Sequence, residues 1–213
     1  MPDPRLLYVY DALCGWCYGF SPTLKAFAET HNARVDVLSG GMIRGEREGM
    51  LSEVAPYLRT AYKDVERRTG VKFGEAFVEV LTNGDLYMTS EPAAALLAWA
   101  RMQAPGRDLE AAHELQQGVY YHGHGPRSGA LARHLAAALG LDGDAAVSAM
   151  TSEEYRVQAE RDFAISRQLD VRGFPALFLA RADGLLPIAK GYTDADTLEA
   201  NLARARRLPT AAE

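Results

Sequence analysis

The stretch Cys14-Gly15-Trp16-Cys17 decides the fold, because it stands where a predicted strand gives way to a predicted helix. The apolar run LLYVY at residues 6–10 indicates a buried strand, and helical spacing of apolar residues begins directly after the cysteines. The unpaired N–H groups and positive dipole end of a helix N-terminus stabilise a thiolate on the first cysteine. The second cysteine lies on the same helical face. The pattern therefore predicts dithiol–disulfide exchange, with Cys14 as nucleophile and Cys17 as resolving thiol.

Other uses of these two cysteines, the only ones in 213 residues, have to be weighed. A structural zinc site needs four ligands, and the five histidines lack zinc-finger spacing, so we predict no metal. Two buried structural thiols are a further alternative. The loop YYHGHGP at residues 120–126 carries His122 and His124, which could bind a metal or line a substrate pocket. Two histidines are too few for a firm metal site, so an exposed loop is the plainer interpretation and their role stays open.

The composition limits the class of protein and its partners. A chain of 213 residues that is 48% hydrophobic can bury a sizeable core. A net charge of −5 without a Lys/Arg block argues against nucleic acid as the main partner. We expect no membrane span, no signal peptide and a cytoplasmic location, because apolar runs are short and MPDPR at residues 1–5 is followed by only five apolar residues. In a reducing compartment, adjacent cysteines favour a catalytic role.

The order of predicted elements divides the chain into three parts. Residues 1–44 form a βαβ unit, with strands at 6–10 and 34–39 in parallel around a helix that runs from Cys14 to about residue 31. Residues 45–168 are predicted to be a helical insertion domain with almost no strand. Residues 169–213 form a hairpin and a closing helix, so that the two ends of the chain together build one domain.

The helical insertion is divided by capping and stop signals. Its predicted helices cover residues 52–69, 74–82, 93–102, 108–121, 128–139 and 153–168. Ser90, Asp108, Ser128 and the capping box that begins at Thr151 are expected to cap four of them, and Asp194 is expected to cap the helix that closes the chain.

Three features resemble those of a known family. They are the cysteine pair at the strand-to-helix junction, Gly173-Phe174-Pro175 before the first strand of the last hairpin, and Gly191-Tyr192 before the closing helix. The chain resembles the thioredoxin fold, and the insertion resembles that of the DsbA family, with a cysteine context similar to its FrnE-like and predicted disulfide-isomerase branches. The resemblance implies an α/β thioredoxin-like fold (βαβ plus ββα) with an all-helical insertion. It also implies a thiol–disulfide oxidoreductase of the protein disulfide oxidase or isomerase type.

The resemblance also implies roles for the second motif. In this family the proline is cis and faces the redox pair, so the Phe174–Pro175 bond is expected to be cis. A proline has no N–H to donate, and the turn leaves the backbone of Phe174 free to pair with an extended substrate beside Cys14. Phe174 and Pro175 are therefore predicted substrate-binding residues.

The neighbours of the cysteines are candidate supporting residues. Trp16 is expected to form a half-exposed platform for substrate. Asp11 has two candidate roles. We favour the role in which its carboxylate accepts N–H bonds at the strand–helix turn, and the alternative is that it accepts a proton from Cys17. Gly15 and Trp16 stand where the family's best-known oxidant carries a histidine, so oxidase, reductase and isomerase activity all remain open.

The implied partners are proteins or small molecules with thiols or disulfides, and no cofactor is implied beyond the cysteine couple, with glutathione as a candidate co-substrate. A second hypothesis is a glutathione-linked isomerase or transferase of the kappa or hydroxychromene-carboxylate isomerase kind. Those enzymes usually carry a serine at the first cysteine, so Cys14 weighs against it. A third is a binding or chaperone-like module with incidental thiols.

Overall fold

The computed structural model describes residues 3–83 and 86–209. Its first part is the predicted βαβ unit: strand β1 (Arg5–Tyr10), helix α1 (Gly15–Thr30) and strand β2 (Arg34–Ser39). β1 and β2 pair in parallel, in register from Arg5 with Arg34 to Tyr10 with Ser39. The parallel pairing confirms the prediction, and it fixes the start of α1 at the end of β1.

The inserted segment is helical, with two short exceptions. In chain order it contains β3 (Gly49–Met50), α2 (Leu51–Thr69), α3 (Glu75–Asn83), β4 (Tyr87–Met88), α4 (Glu91–Gln103), α5 (Asp108–Tyr120), α6 (Gly129–Leu139), α7 (Gly143–Ala149) and α8 (Glu153–Gln168). The prediction missed α7, whose N-terminus is capped by Asp142. It also missed the antiparallel pair β3–β4, because two-residue strands leave no alternating pattern.

The last part closes the sheet. It contains β5 (Ala176–Arg181), β6 (Gly184–Lys190) and α9 (Ala195–Arg207). The strand order is β2-β1-β5-β6, with β5 antiparallel to both β1 and β6. The fold is therefore thioredoxin-like α/β, as expected. The division into residues 1–44 plus 169–213 and residues 45–168 stays a prediction, and one hydrophobic cluster includes both Leu24 of α1 and Leu115 of α5.

Helix α1 lies against the sheet through one apolar face. Phe20, Leu24 and Phe27 recur at helical spacing and are all buried. Full burial of such a side chain contributes about 1.5–3 kcal/mol. This face holds the first turn of α1, and hence both cysteines, at the end of β1.

Two of the predicted helix caps form and three do not, and one of the three is Asp108, which is the first residue of α5 and not its N-cap. Ser128 and Asp194 accept backbone N–H bonds at the starts of α6 and α9. Ser90 and Ser152 precede α4 and α8, but neither side chain makes a cap hydrogen bond. The Ser90 oxygen instead accepts the N–H of Ile43 at 3.0 Å, and its O–H donates to a carboxylate near the cysteines.

A buried ion pair fixes two inserted helices on β2. Arg101 of α4 donates to Asp162 of α8 at 2.9 Å and to the carbonyl of Val37 at 2.7 Å. Asp162 also accepts the N–H of Ser39 at 3.2 Å. Within the described ranges, every helix is too short or too polar to cross a membrane.

Candidate active site

Cys14 is the N-cap residue of α1. Its backbone is extended (φ −96°, ψ 108°), and its Sγ accepts a hydrogen bond from the N–H of Cys17 at 3.4 Å. Its own N–H donates to the carbonyl of Asp11 at 3.1 Å, which closes the turn between β1 and α1. The first thiol therefore lies at a helix N-terminus, where N–H groups stabilise negative charge.

The two thiols are both free, and they differ in their contact with solvent. Cys14 is 5% exposed and Cys17 is 0% exposed. Burial raises the pKa of Cys17 well above its ordinary value, and the hydrogen bond and charge of Cys14 raise it further. Cys17 is therefore protonated at neutral pH and inaccessible to solvent, and Cys14 is the thiol that a substrate can approach.

The Phe174–Pro175 peptide bond is cis, as the resemblance implied. The thiol of Cys14 donates to the carbonyl oxygen of Phe174 at 3.6 Å, across 160 residues of sequence. Pro175 is buried, and its carbonyl accepts the N–H of Gly191 at 2.7 Å. The structure therefore brings the two predicted motifs into direct contact.

Phe174 contacts the thiol of Cys14 through its backbone carbonyl oxygen. A Cβ atom on Gly40 would lie 2.0 Å from Cε1 of this ring, so the ring packs directly on the backbone that follows β2. The ring also packs with Val9 and Ala176 on the other face of the sheet. Phe174 thus offers the site its backbone carbonyl rather than its aromatic side chain.

Asp11 is a buried acceptor that organises the turn before Cys14. Its Oδ1 accepts the N–H of Leu13 and the hydroxyl of Ser90, both at 3.0 Å, and its Oδ2 accepts the N–H of Met42 at 2.7 Å. Burial raises the pKa of Asp11, and these hydrogen bonds oppose the rise. Both oxygens are thus engaged by donors, which matches the acceptor role favoured from the sequence. Ser90, 79 residues away, was not foreseen in this role.

Trp16 is half-buried, and its role as a platform for substrate stays a prediction. Its ring centroid lies 6.2 Å from that of Tyr192, and the Arg68 guanidinium lies over it at 5.2 Å. Gly15 has ordinary space around it, because a Cβ there would meet Phe73 at 3.7 Å and Val65 at 3.9 Å. Space alone therefore does not require glycine between the cysteines.

A cavity of about 300 Å³ opens beside Cys14, where a substrate pocket was expected only as one alternative role for His122 and His124. Its walls come from the start of α1, from α2, from α3, and from the end of α5 with the loop that follows. Leu51, Leu58 and Val65 of α2 recur at helical spacing along one wall. This spacing is the one feature of the sequence that could have pointed to the cavity. It indicates only that α2 has an apolar face, and not that a cavity lies beneath that face.

His122 and His124 belong to a cluster that also contains His134 of α6. The ring centroids of His122 and His124 are 5.8 Å apart, and His134 lies 4.8 Å and 6.0 Å from them. Nε2 of His134 is 3.2 Å from the carboxylate of Glu114. Among residues 3–83 and 86–209, no group of three ligands is arranged to hold a metal ion. His124 does line the cavity, and burial lowers its pKa.

The chain is similar over most of its length to several solved structures. Cytosolic disulfide reductase DsbM from Pseudomonas aeruginosa is 26% identical, with a TM-score of 0.79 over 96% of this chain and 100% of that one. A candidate protein disulfide isomerase from Nitrosomonas europaea is 20% identical, with a TM-score of 0.79 over 97% and 98%. A 2-hydroxychromene-2-carboxylate isomerase is 14% identical, with a TM-score of 0.66 over 95% and 96%. The last two likenesses concern the fold alone.

Family membership rests on nearly the whole chain. No curated protein matches the sequence at a significant level. The model of the DSBA-like thioredoxin domain matches residues 5–203. The chain therefore belongs to the DSBA-like thioredoxin domain family and is a thiol–disulfide oxidoreductase.

Proposed function

We propose that the Cys14–Cys17 pair is the redox centre of this enzyme and acts through a mixed disulfide. The supporting observation is the asymmetry of the pair. Cys14 caps α1 with its Sγ next to the Phe174 carbonyl, while Cys17 is sealed below it with a raised pKa. A reachable nucleophile above a protected thiol is the arrangement that two-step exchange requires.

The first step joins substrate to Cys14. The Cys14 thiolate attacks one sulfur of a substrate disulfide, forms a mixed disulfide and displaces the other sulfur as a thiolate. Proximity to the α1 N-terminus stabilises the attacking thiolate. Once Cys14 has lost its proton, the backbone carbonyl of Phe174 no longer accepts a hydrogen bond from it and becomes free to accept from an N–H of the substrate.

The second step releases the substrate. Cys17 loses its proton and attacks Sγ of Cys14, forming the Cys14–Cys17 disulfide and expelling the second substrate thiolate. Two electrons pass from the dithiol to the substrate, and the reverse sequence oxidises a substrate dithiol. Asp11 supports both steps by holding the turn that carries Cys14, through its bonds to Leu13 and Met42.

The direction we propose is reduction, with glutathione as the co-substrate that restores the dithiol. DsbM, which is 26% identical, is a cytosolic disulfide reductase, and a second DsbM structure contains GSH. The same likeness supports a cytoplasmic location and partners with thiols or disulfides. The equilibrium of the cysteine couple against a glutathione buffer tests this direction, because glutathione can restore the dithiol only if the potential of the couple lies at or above that of the buffer, and the dithiol can reduce a substrate disulfide only if its potential lies below that of the substrate.

A glutathione-linked isomerase is the second candidate, favoured by the likeness in fold to 2-hydroxychromene-2-carboxylate isomerase. The presence of both cysteines argues against it, since isomerisation needs no resolving thiol. Isomerisation of a hydroxychromene carboxylate with added glutathione, retained in Cys17→Ala, would support this candidate.

The redox proposal is tested by replacing each thiol in turn. Cys14→Ser is expected to abolish glutathione-dependent reduction of bis(2-hydroxyethyl) disulfide, measured through glutathione reductase. Cys17→Ser is expected to accumulate a mixed disulfide on Cys14, detected as an added mass under non-reducing conditions. Exchange that continues in Cys14→Ser at the wild-type rate would refute the assignment.

A further inference from the structure

The cavity beside Cys14 has apolar walls. α2 contributes Leu58 and Ala61, α3 contributes Phe77 and Val80, and Trp16 stands at the α1 side. Among the described residues that line it there is no Asp, Glu, Lys or Arg, and the imidazole of His124 is the basic group present. An ionic group placed inside would lose its hydration without gaining an ion pair, whereas an apolar group gains by leaving water.

The position of Cys14 restricts what can reach it. Its thiol is part of the cavity lining and is 5% exposed in the described structure. A disulfide in a folded protein has main chain on both sides of each half-cystine, which hinders the approach of its sulfur to a thiol that is only 5% exposed. A small molecule has no such obstacle, and about 300 Å³ lies at the lower end of the range for small-ligand sites.

We infer that this cavity is the specificity site of the enzyme and receives an apolar group bonded to the substrate sulfur that Cys14 attacks. The favoured substrates are then small disulfides with an aromatic or branched aliphatic substituent, rather than protein or strongly charged disulfides. This inference rests on the proposed redox function of Cys14 and adds a substrate class to it.

The chemistry keeps the apolar group in the cavity for both steps. Cys14 thiolate attacks the sulfur that bears the group and displaces the other sulfur substituent. In the mixed disulfide the group is tethered two sulfur atoms from Cβ of Cys14, with the cavity beside it. Cys17 then attacks Sγ of Cys14 and gives up its proton, which the departing apolar thiolate takes up; over the two steps the dithiol supplies two electrons, one to each sulfur of the substrate disulfide.

The test uses probes that differ in one substituent. Methanethiosulfonates, R–S–SO₂CH₃, share the leaving group methanesulfinate, so only R can fill the cavity. R is 2-phenylethyl, methyl or 2-sulfonatoethyl. The reduced enzyme is mixed with each probe in a single turnover, and the loss of both thiols is followed by mass spectrometry after acid quenching. Each rate is divided by the rate of the same probe with dithiothreitol, which removes differences in intrinsic reactivity.

The normalised rate with the phenylethyl probe is expected to exceed that with the methyl probe by roughly tenfold to a hundredfold, given the transfer free energy of a buried aromatic side chain. The sulfonatoethyl probe is expected to react no faster than the methyl probe. Insulin, as a protein disulfide normalised in the same way, is expected to react more slowly than the phenylethyl probe.

Two matched variants test whether the preference for the phenylethyl probe arises in the cavity. Ala61→Phe fills the cavity and is expected to bring the phenylethyl-to-methyl ratio close to one. Ala138→Phe makes the same change on the exposed face of α6, away from the cavity, and is expected to keep the wild-type ratio. Leu58→Ala, which enlarges the cavity, provides a second readout by favouring a 2-naphthylmethyl probe over the phenylethyl probe.

The outcomes separate this inference from the function on which it rests. Equal normalised rates for all probes, equal ratios in Ala61→Phe and Ala138→Phe, or insulin reacting as fast as the phenylethyl probe would each overturn the apolar specificity site while leaving the redox centre intact. Failure of every probe to oxidise the native dithiol would overturn the redox function itself.

Discussion

The hydroxyl of Ser90 donates a hydrogen bond to Oδ1 of Asp11 at 3.0 Å, although the two residues are 79 positions apart. Ser90 also accepts the N–H of Ile43 at 3.0 Å, while Asp11 accepts from Leu13 in the turn before Cys14. The start of α4 is thereby connected to the turn that carries the nucleophile. Both side chains are buried, so each bond lies where unsatisfied groups are costly.

Replacing Ser90 by alanine is expected to destabilise the protein by about 1–3 kcal/mol, because the N–H of Ile43 and one oxygen of Asp11 lose a partner. Urea unfolding of the reduced protein measures the change. Ser148→Ala is the matched control, because the Ser148 hydroxyl is exposed and bonds within its own helix, so its loss is expected to cost less than about 0.5 kcal/mol. Equal losses of stability in the two variants would show that the buried hydrogen bonds of Ser90 contribute no more than an exposed hydrogen bond within a helix.

The raised pKa of Cys17 gives the reduced protein a stability that depends on pH. The folded state holds the thiol proton to a higher pH than the unfolded chain, whose thiols titrate near about 8.5. The stabilisation is therefore complete below about pH 8.5 and is lost as pH rises through the folded pKa. The free energy of unfolding is expected to fall by at most about 1.4 kcal/mol per pH unit in this range.

Cys17→Ala is the control for this pH dependence, because it removes the buried thiol and leaves the other titrating groups. Urea unfolding between pH 7 and 10 is expected to show a shallower decline in the variant than in the reduced wild type. Parallel curves would mean that Cys17 does not hold its proton more tightly in the folded state.

Gly40 is expected to tolerate no side chain, because a Cβ would lie 2.0 Å from Cε1 of the Phe174 ring. Gly40→Ala is predicted to cost about 1–3 kcal/mol through overpacking and to slow exchange by moving the Phe174 carbonyl away from Cys14. Thermal unfolding and the single-turnover rate measure the two effects.

Gly173→Ala, beside Phe174 in sequence, is the control for Gly40. An added Cβ there meets nothing within 4 Å, so stability is expected to change by less than about 0.5 kcal/mol. If both variants behave alike, the close packing of Phe174 on Gly40 is not what positions the carbonyl.

The ion pair between Arg101 and Asp162 is expected to matter more than exposed pairs. Arg101→Met leaves the buried Asp162 carboxylate without its cation and is predicted to cost about 3 kcal/mol or more in urea unfolding. Arg133→Met breaks the exposed pair with Asp144 and is expected to cost less than about 1 kcal/mol. A similar cost for both would contradict the view that α4 and α8 are fixed on β2 by this pair.

Local patterns were sufficient to predict the elements of the fold. The apolar run of β1, the stripe of Phe20 and Leu24, and the stop at Gly140 act over a few residues, so they can be recognised along the chain. Resemblance to the DsbA family then supplied the arrangement of the elements. The cap predicted at Ser90 does not form, because the oxygen that would accept an N–H of its own helix accepts the N–H of the distant residue Ile43.

The sequence by itself determined that two cysteines lie at a strand–helix junction and that the chain carries a second motif at Phe174-Pro175. Tertiary structure decided the contact between Cys14 and Phe174, the burial that raises the pKa of Cys17, and the apolar cavity under α2 and α3. The physical reason is that spacing along the chain fixes local conformation, whereas burial and cavities arise only when distant segments pack around a shared space.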